Sequence, residues 1–421
     1  MTSRLLERIH WQGRSASQTI ATTLVGSLLL VSAVFSTTPL TTKNQGFDSD
    51  GMSYAAMAGD TRFPQAHARV APFCFRVLTP FLVSLLPFDS LTSFRLAAFV
   101  SNCLSLILIF LILGSFDFPA SSRVIGTLLY AGSFWVLKFS FYSPAYIDYQ
   151  TNLLILSIIY ATLQRWYAVL PLVFVVAALQ RESLAAFAVF SVVHILREGH
   201  WTTLRPWLLS LLIILCPVVA LAMVRMSIEP ANVYSPLVML DHIKRLRELG
   251  YWAILAQATF SGLGVIPLLL VINYEVWPRF LRKHWEWLVY AAISLFFLFG
   301  GVDKARLFLY VLPLAVILVA CNLEVLARHT TLSRFAAWMI LVLLVHLWIG
   351  NYLTPMGTFE QYLARMVPEH SRGRYLPYLV TNLGVAFALL VLTIPTIFGG
   401  LHFRPAIGLT GAPGGRNTQP D

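Results

Sequence analysis

Apolar residues in this chain come in long runs rather than in the interrupted rhythm of a helix with one wet face. Runs bounded by charged or turn residues fall near 19–38, 96–115, 124–142, 146–163, 167–180, 183–196, 207–224, 251–273, 284–300, 307–323, 335–353 and 376–399. A helix that crosses a bilayer needs ~20 mostly apolar residues, because no water is present there to bond its backbone. The pattern therefore predicts an all-α, polytopic membrane protein with about 12 transmembrane helices in one multi-span domain, 1–399. The runs 167–180 and 183–196 are short, and the alternative for them is one long helix interrupted by Gln180, Arg181 and Glu182.

The stretch 72–88, PFCFRVLTPFLVSLLPF, is too short to span comfortably and carries Arg76 and Pro80. It predicts a helix lying in the interface or dipping into it. The segment 39–95 then forms a first external loop bearing juxtamembrane helices. An even number of spans leaves both termini in the cytoplasm. The short inward loops hold Arg165, Arg197, Arg205, Arg279, Arg282, Lys283, Arg328 and Arg334, as the positive-inside rule requires. The outward loops are 39–95, 225–250 and 354–375. Arg4, Arg8 and Arg14 precede the first run and suit an uncleaved first span; a signal peptide cut near Ala33 is the alternative. The polar segment 400–421 reads as a disordered cytoplasmic tail.

Composition agrees with a bilayer environment. Hydrophobic residues make up 57% of 421, charged residues 12%, and the mean hydropathy is +0.72. Soluble domains carry roughly 25% charged residues, more than this chain can supply to a wet surface. The net charge of +11 is scattered over short loops, which suits an anionic leaflet and not a nucleic-acid partner. Cys74, Cys103, Cys216 and Cys321 show neither disulfide nor metal spacing. No cofactor is implied, and a divalent metal is left open.

Charges near apolar segments are costly and mark candidate chemistry. Asp48 and Asp50 open the first external loop in FDSDGMSYAAMA, ahead of Tyr54. Asp50 stands beside Gly51 at a helix start, where serving as an N-cap is the ordinary alternative. Asp148 lies at the outer end of a span between Tyr146 and Tyr149. Arg181 and Glu182 sit between two apolar runs, where they can also satisfy each other. Asp303, Lys304 and Arg306 occupy the turn GGVDKAR, which can equally be a solvated turn. With even parity all of these face one side, where carboxylates and guanidinium groups can converge.

The order of a first span, a loop opening DxDGxxYxxMA, the segment RVLTPFLVSLLP and a span beginning FRLAAFVSNCLSLILIFL resembles a known family. It looks like the C-type (GT-C) fold of integral membrane glycosyltransferases that use polyprenyl-phosphate sugars, most closely the bacterial protein-mannosyltransferase-like group. The resemblance implies sugar transfer at the extracytoplasmic face, with an acid of the first loop as catalytic base. Asp50 matches that acid best, and Asp48 second. Arg76, Thr79 and Pro80 match the juxtamembrane helix. Tyr54, Arg76, Asp148, Arg181, Glu182, Asp303 and Arg306 are the implied substrate-binding residues, the arginines suiting a phosphate through their fixed fork. The implied partners are the lipid-linked sugar, the bilayer, and a glycan, lipid or protein acceptor. The large C-terminal extracytoplasmic domain of some members has no counterpart in these residues. A secondary transporter is the alternative from another class, although transporters show two related halves and no internal repeat is evident here. A non-catalytic protein of the same architecture is the other.

Overall fold

Apolar runs fold as helices because a helix bonds its own backbone, and among the described residues of the computed structural model no strand occurs. It describes residues 13–198, 203–233, 235, 243–301 and 303–393, so the tail expected over 400–421 and the basic positions 4 and 8 lie outside the described residues. The N-terminal third holds α1 (Gly13–Thr37), α2 (Asp50–Met57), α3 (Leu78–Ser84), α4 (Ser90–Gly114), α5 (Ala120–Gly132) and α6 (Lys138–Tyr142). The middle holds α7 (Asp148–Leu163), α8 (Leu170–Gln180), α9 (Ala188–Arg197), α10 (Leu204–Ser227), α11 (Leu249–Leu263), α12 (Ile266–Val271), α13 (Val276–Lys283) and α14 (Glu286–Phe297). The remainder holds α15 (Lys304–Leu307), α16 (Leu312–His329), α17 (Leu332–Ile349), α18 (Phe359–Met366) and α19 (Leu376–Thr393).

Among the described residues four helices, α4, α10, α17 and α19, are long and apolar enough to cross a membrane; a fifth span results if Lys304–Tyr310 and Leu312–Arg328, bent by 65°, act as one. This is fewer than the apolar runs suggest, because several runs are broken. The run 124–142 stops at Gly132 and resumes only at Lys138, and 251–273 is split at Gly264, whose φ is +59°. One buried side chain from α17 sits in both breaks. His346 Nε2 donates to the Leu129 carbonyl at 2.7 Å, and its Nδ1 accepts from the Val265 amide at 3.3 Å. A Cβ on Gly264 or on Gly132 would overlap the imidazole. The run 307–323 lies across the bend between α15 and α16.

Two side-chain pairs fix how α4 and α7 lie. Ser101 donates to Gln150 at 2.6 Å and Gln164 donates to Ser115 at 2.9 Å, an offset of 49 residues in both cases. A constant offset means the helices run parallel, with α5 and α6 carrying the chain back between them. Segment 167–196 is not one long helix. Arg165 pairs with Glu198 at one end, while Arg181 pairs with Asp148 at the other, so α8 climbs beside α7 and α9 returns. Arg197 Nη1 also donates to the Lys283 carbonyl at 3.1 Å. Basic residues of three expected inward loops thus gather at the end of α7 distant from Asp148, ~24 Å away at 1.5 Å per residue.

Segment 72–88 does not span. Its helix, α3, has seven residues and is only ~10 Å long. Thr79, Pro80 and Val83 face inward while Phe81, Leu82, Leu85 and Phe88 are exposed, the division expected of a helix lying on a lipid surface. α10 likewise leaves Leu208, Leu211, Leu215, Val218 and Val219 uncovered.

Candidate functional site

The first-loop acids part company. Asp50 is the first residue of α2, behind Ser49, and no side chain caps that helix. Its carboxylate does not bond the helix's own amides but reaches Arg306 Nη1 at 3.3 Å. The N-cap alternative for Asp50 is therefore excluded by geometry. Asp48 instead accepts from Lys43 Nζ at 2.9 Å and from the Ser49 hydroxyl at 3.1 Å, outside the group around Arg306.

Arg306 binds this group together. It lies 3.3 Å from Asp50, 3.5 Å from Asp148 and 3.5 Å from Asp303, with its guanidinium 5.2 Å over the ring of Tyr146. Lys304 is buried and Arg306 turns inward ahead of α16, so this is not a plain solvated turn. Arg181 Nη1 donates to the other oxygen of Asp148 at 2.7 Å. Asp148 thus bridges two guanidinium groups from segments 125 residues apart in sequence. Among the described residues here, three carboxylates face two guanidinium groups, and His370 Nε2 lies 3.1 Å from Asp303. The Asp148 side chain is 6% exposed, that of Asp50 18% and that of Asp303 21%, so Asp50 and Asp303 line the accessible side and Asp148 lies behind them.

A second group adjoins the first. Arg76 Nη1 donates to the Tyr54 hydroxyl at 3.0 Å, and its Nε lies 3.6 Å from Glu182. Glu182 faces Arg76 and Arg225, the latter at 3.8 Å, and not its neighbour Arg181. Thr79 donates to Gln180 at 2.7 Å, and Gln180 donates to the Ile147 carbonyl at 2.9 Å. Those two bonds tie the juxtamembrane helix to the stretch that presents Asp148 and Arg181. Every expected site residue except Asp48 therefore lies in one of two adjoining clusters.

Burial pushes the Asp50 carboxyl above its usual range; Arg306 pulls against this and Asp303 adds to it. Burial would raise Asp303 as well, but Arg306 and His370 outweigh it and hold that carboxyl low. Burial also lifts Tyr54 to about 12, so it meets Arg76 as a neutral phenol. The cluster thus contains one carboxylate tuned toward accepting a proton beside another kept ionised. Nε of Arg76 and Nε of Arg306 are buried and make no hydrogen bond. Among the described residues no three of His, Cys, Asp and Glu are placed to hold a metal ion, and Arg306 occupies the space between the carboxylates where a cation would sit.

Sequence reasoning missed Tyr310, Ser183, Arg225 and His370. Tyr310 hydrogen-bonds Ser183 at 2.6 Å and lies under Arg181, 5.8 Å from its guanidinium carbon. It stands four residues after Arg306, a signal that becomes visible once that turn is read as helical. His370 and Arg225 come from long loops or helix ends without any motif.

No family model matches the chain, and neither a curated protein nor a solved structure is similar enough to count as a match.

Proposed function

We propose that this chain is a GT-C-like membrane glycosyltransferase that moves a sugar from a polyprenyl-phosphate donor to an acceptor hydroxyl on the extracytoplasmic face. The approach of Asp50 to Arg306, with Asp148 and Arg181 behind them, supports this reading: a largely buried acid of raised basicity stands beside two guanidinium groups. Asp50 takes the acceptor proton as the acceptor oxygen bonds to the anomeric carbon. The bond from that carbon to the phosphate oxygen breaks, and the phosphate leaves on its lipid. Arg306 and Arg76 face the charge that gathers on the departing oxyanion, the kind of preorganised stabilisation that contributes most to such steps. Arg181 holds Asp148, and Asp148 in turn orients Arg306. The lipid tail needs an apolar approach, which the exposed face of α3 and the uncovered side of α10 supply. The rest of the expected helix bundle, about 12 spans with both termini cytoplasmic, belongs to the same proposal.

The decisive test is Asp50→Asn, assayed with a polyprenyl-phosphate sugar. Transfer is expected to fall by ~10²-fold or more, the usual scale for losing a general base, with thermal stability near that of the parent. Asp48→Asn, which touches only Lys43 and Ser49, is expected to retain most activity. Parental transfer by Asp50→Asn overturns the assignment and moves it to Asp48.

A further inference from the structure

A cavity of about 510 Å³ opens away from the carboxylate cluster, between the end of α1, the start of α6 and the loop after α17. Thr37, Pro39, Lys138, Tyr352, Leu353 and Thr354 are among its walls. Lys138 is 7% exposed, and its ammonium donates to the Asn351 and Thr354 carbonyls, the second at 3.4 Å. Arg365 comes from α18 to the same loop. It donates to Asn351 Oδ1 at 2.7 Å, to the Thr354 hydroxyl at 2.8 Å and to the Trp348 carbonyl at 2.7 Å. Two full positive charges therefore grip one short loop through Asn351. Among the described residues, no carboxylate lies within ion-pair distance of either.

The ordinary role of such cations is to cap the carbonyl end of α17. That end carries only about half an elementary negative charge, which leaves most of two positive charges uncompensated. A largely buried ammonium without a carboxylate counter-ion is costly, and one that lines an open cavity, with a second cation behind it, invites an anion. The volume lies within the range of small-molecule sites. The rim shows the source of the ligand: Leu353 is 54% exposed, and the cavity sits where the apolar helix α1 ends.

We propose that this cavity is a second anion site, separate from the carboxylate cluster, which binds the phosphate of an anionic lipid headgroup through Lys138 with Arg365 behind it. It stands independently of the sugar-transfer reading, since none of its residues belongs to that cluster. An aromatic wall lies between the two: Phe139, next to Lys138, packs 5.1 Å from Tyr146, and Tyr146 lies under Arg306.

The purified full chain in neutral detergent is titrated with short-chain phosphatidylglycerol, phosphatidylcholine of the same chains, and inorganic phosphate, with bound ligand counted by native mass spectrometry. Phosphatidylglycerol is expected to bind at one saturable site that phosphatidylcholine does not fill. Competition by inorganic phosphate would assign recognition to the phosphate group alone, and its failure to compete would assign it to the lipid headgroup as a whole; both support an anion site. Lys138→Met is expected to weaken phosphatidylglycerol at least ~10-fold. Leu353→Glu, which places a negative charge on the exposed rim and removes no buried group, is expected to do the same and decides the matter if Lys138→Met fails to fold. Parental affinity in Leu353→Glu, or equal binding of both lipids by the parent, overturns the proposal.

Discussion

Asp50 and Arg306 stand 256 residues apart in sequence, yet their side chains meet at 3.3 Å. Arg306 also lies 3.5 Å from Asp148, which is held from its other side by Arg181. The loop after α1, the start of α7, the tip between α8 and α9, and the bend before α16 are thereby locked at one end of the helices.

Because Arg181 holds Asp148 through a directional bond, its replacement separates charge from geometry. Arg181→Ala is expected to raise the donor KM by roughly 10-fold or more, on the scale of a lost charge-assisted hydrogen bond. Arg181→Lys is expected to fall between that and the parent, since a point charge keeps attraction but loses the planar fork. Steady-state kinetics on both variants check this. Parental values in both would remove Arg181 from the site and leave Arg306 to act alone.

Much of this arrangement was legible in the sequence, and the rest has identifiable physical reasons for being hidden. Apolar runs betray helices because the requirement for internal backbone bonding is local. The charges at 148, 181, 303 and 306 stood out because a charge beside an apolar run is costly. The breaks at Gly132 and Gly264 were hidden because their cause, His346, comes from another helix far along the chain. Spacing could not separate an N-cap from a catalytic acid at position 50, since both place Asp at a helix start and only the partner distinguishes them. His370 and Arg225 gave no signal, as a lone base in a polar loop is ordinary.

Glu369 gives a prediction about stability. Its Oε1 accepts from the Lys304 amide at 2.9 Å, its Oε2 has no hydrogen-bond partner, and burial lifts its carboxyl to about 7. A raised value means the folded chain holds this proton more tightly than the unfolded chain. The stabilisation is complete below the unfolded value near 4.5 and is lost as pH rises through about 7. Glu369→Gln mimics the protonated form at every pH. It is expected to be the more stable protein at pH 8, by on the order of 3 kcal/mol, and to match the parent at pH 4. Thermal unfolding of both across that range reads the difference, and parallel curves would contradict it.

Topology can be tested at two points that the bundle places at opposite ends. Lys283 lies with Arg197 at the end of α7 away from Asp148, whereas His370 bonds Asp303 within the site. A reporter fused after Lys283 is expected to read cytoplasmic, and one inserted within 355–370 extracytoplasmic, in keeping with the positive-inside rule. The reverse pattern would place the carboxylate cluster on the cytoplasmic side and remove the lipid-linked donor from reach.

The long separation between Asp50 and Arg306 also orders events during synthesis. Asp50 leaves the ribosome first, Asp148 next, and Arg181 soon enough afterwards to give Asp148 its first counter-charge. Asp50 must wait for Arg306, by which time most of the helices have already been synthesised. A nascent chain shorter than 306 residues therefore carries its first-loop acid without its ion-pair partner, and the cluster closes only as the last third of the protein arrives. The bend before α16 is thus the last piece of the cluster to be made, and Asp50, Asp148 and Asp303 meet one guanidinium only once it is in place.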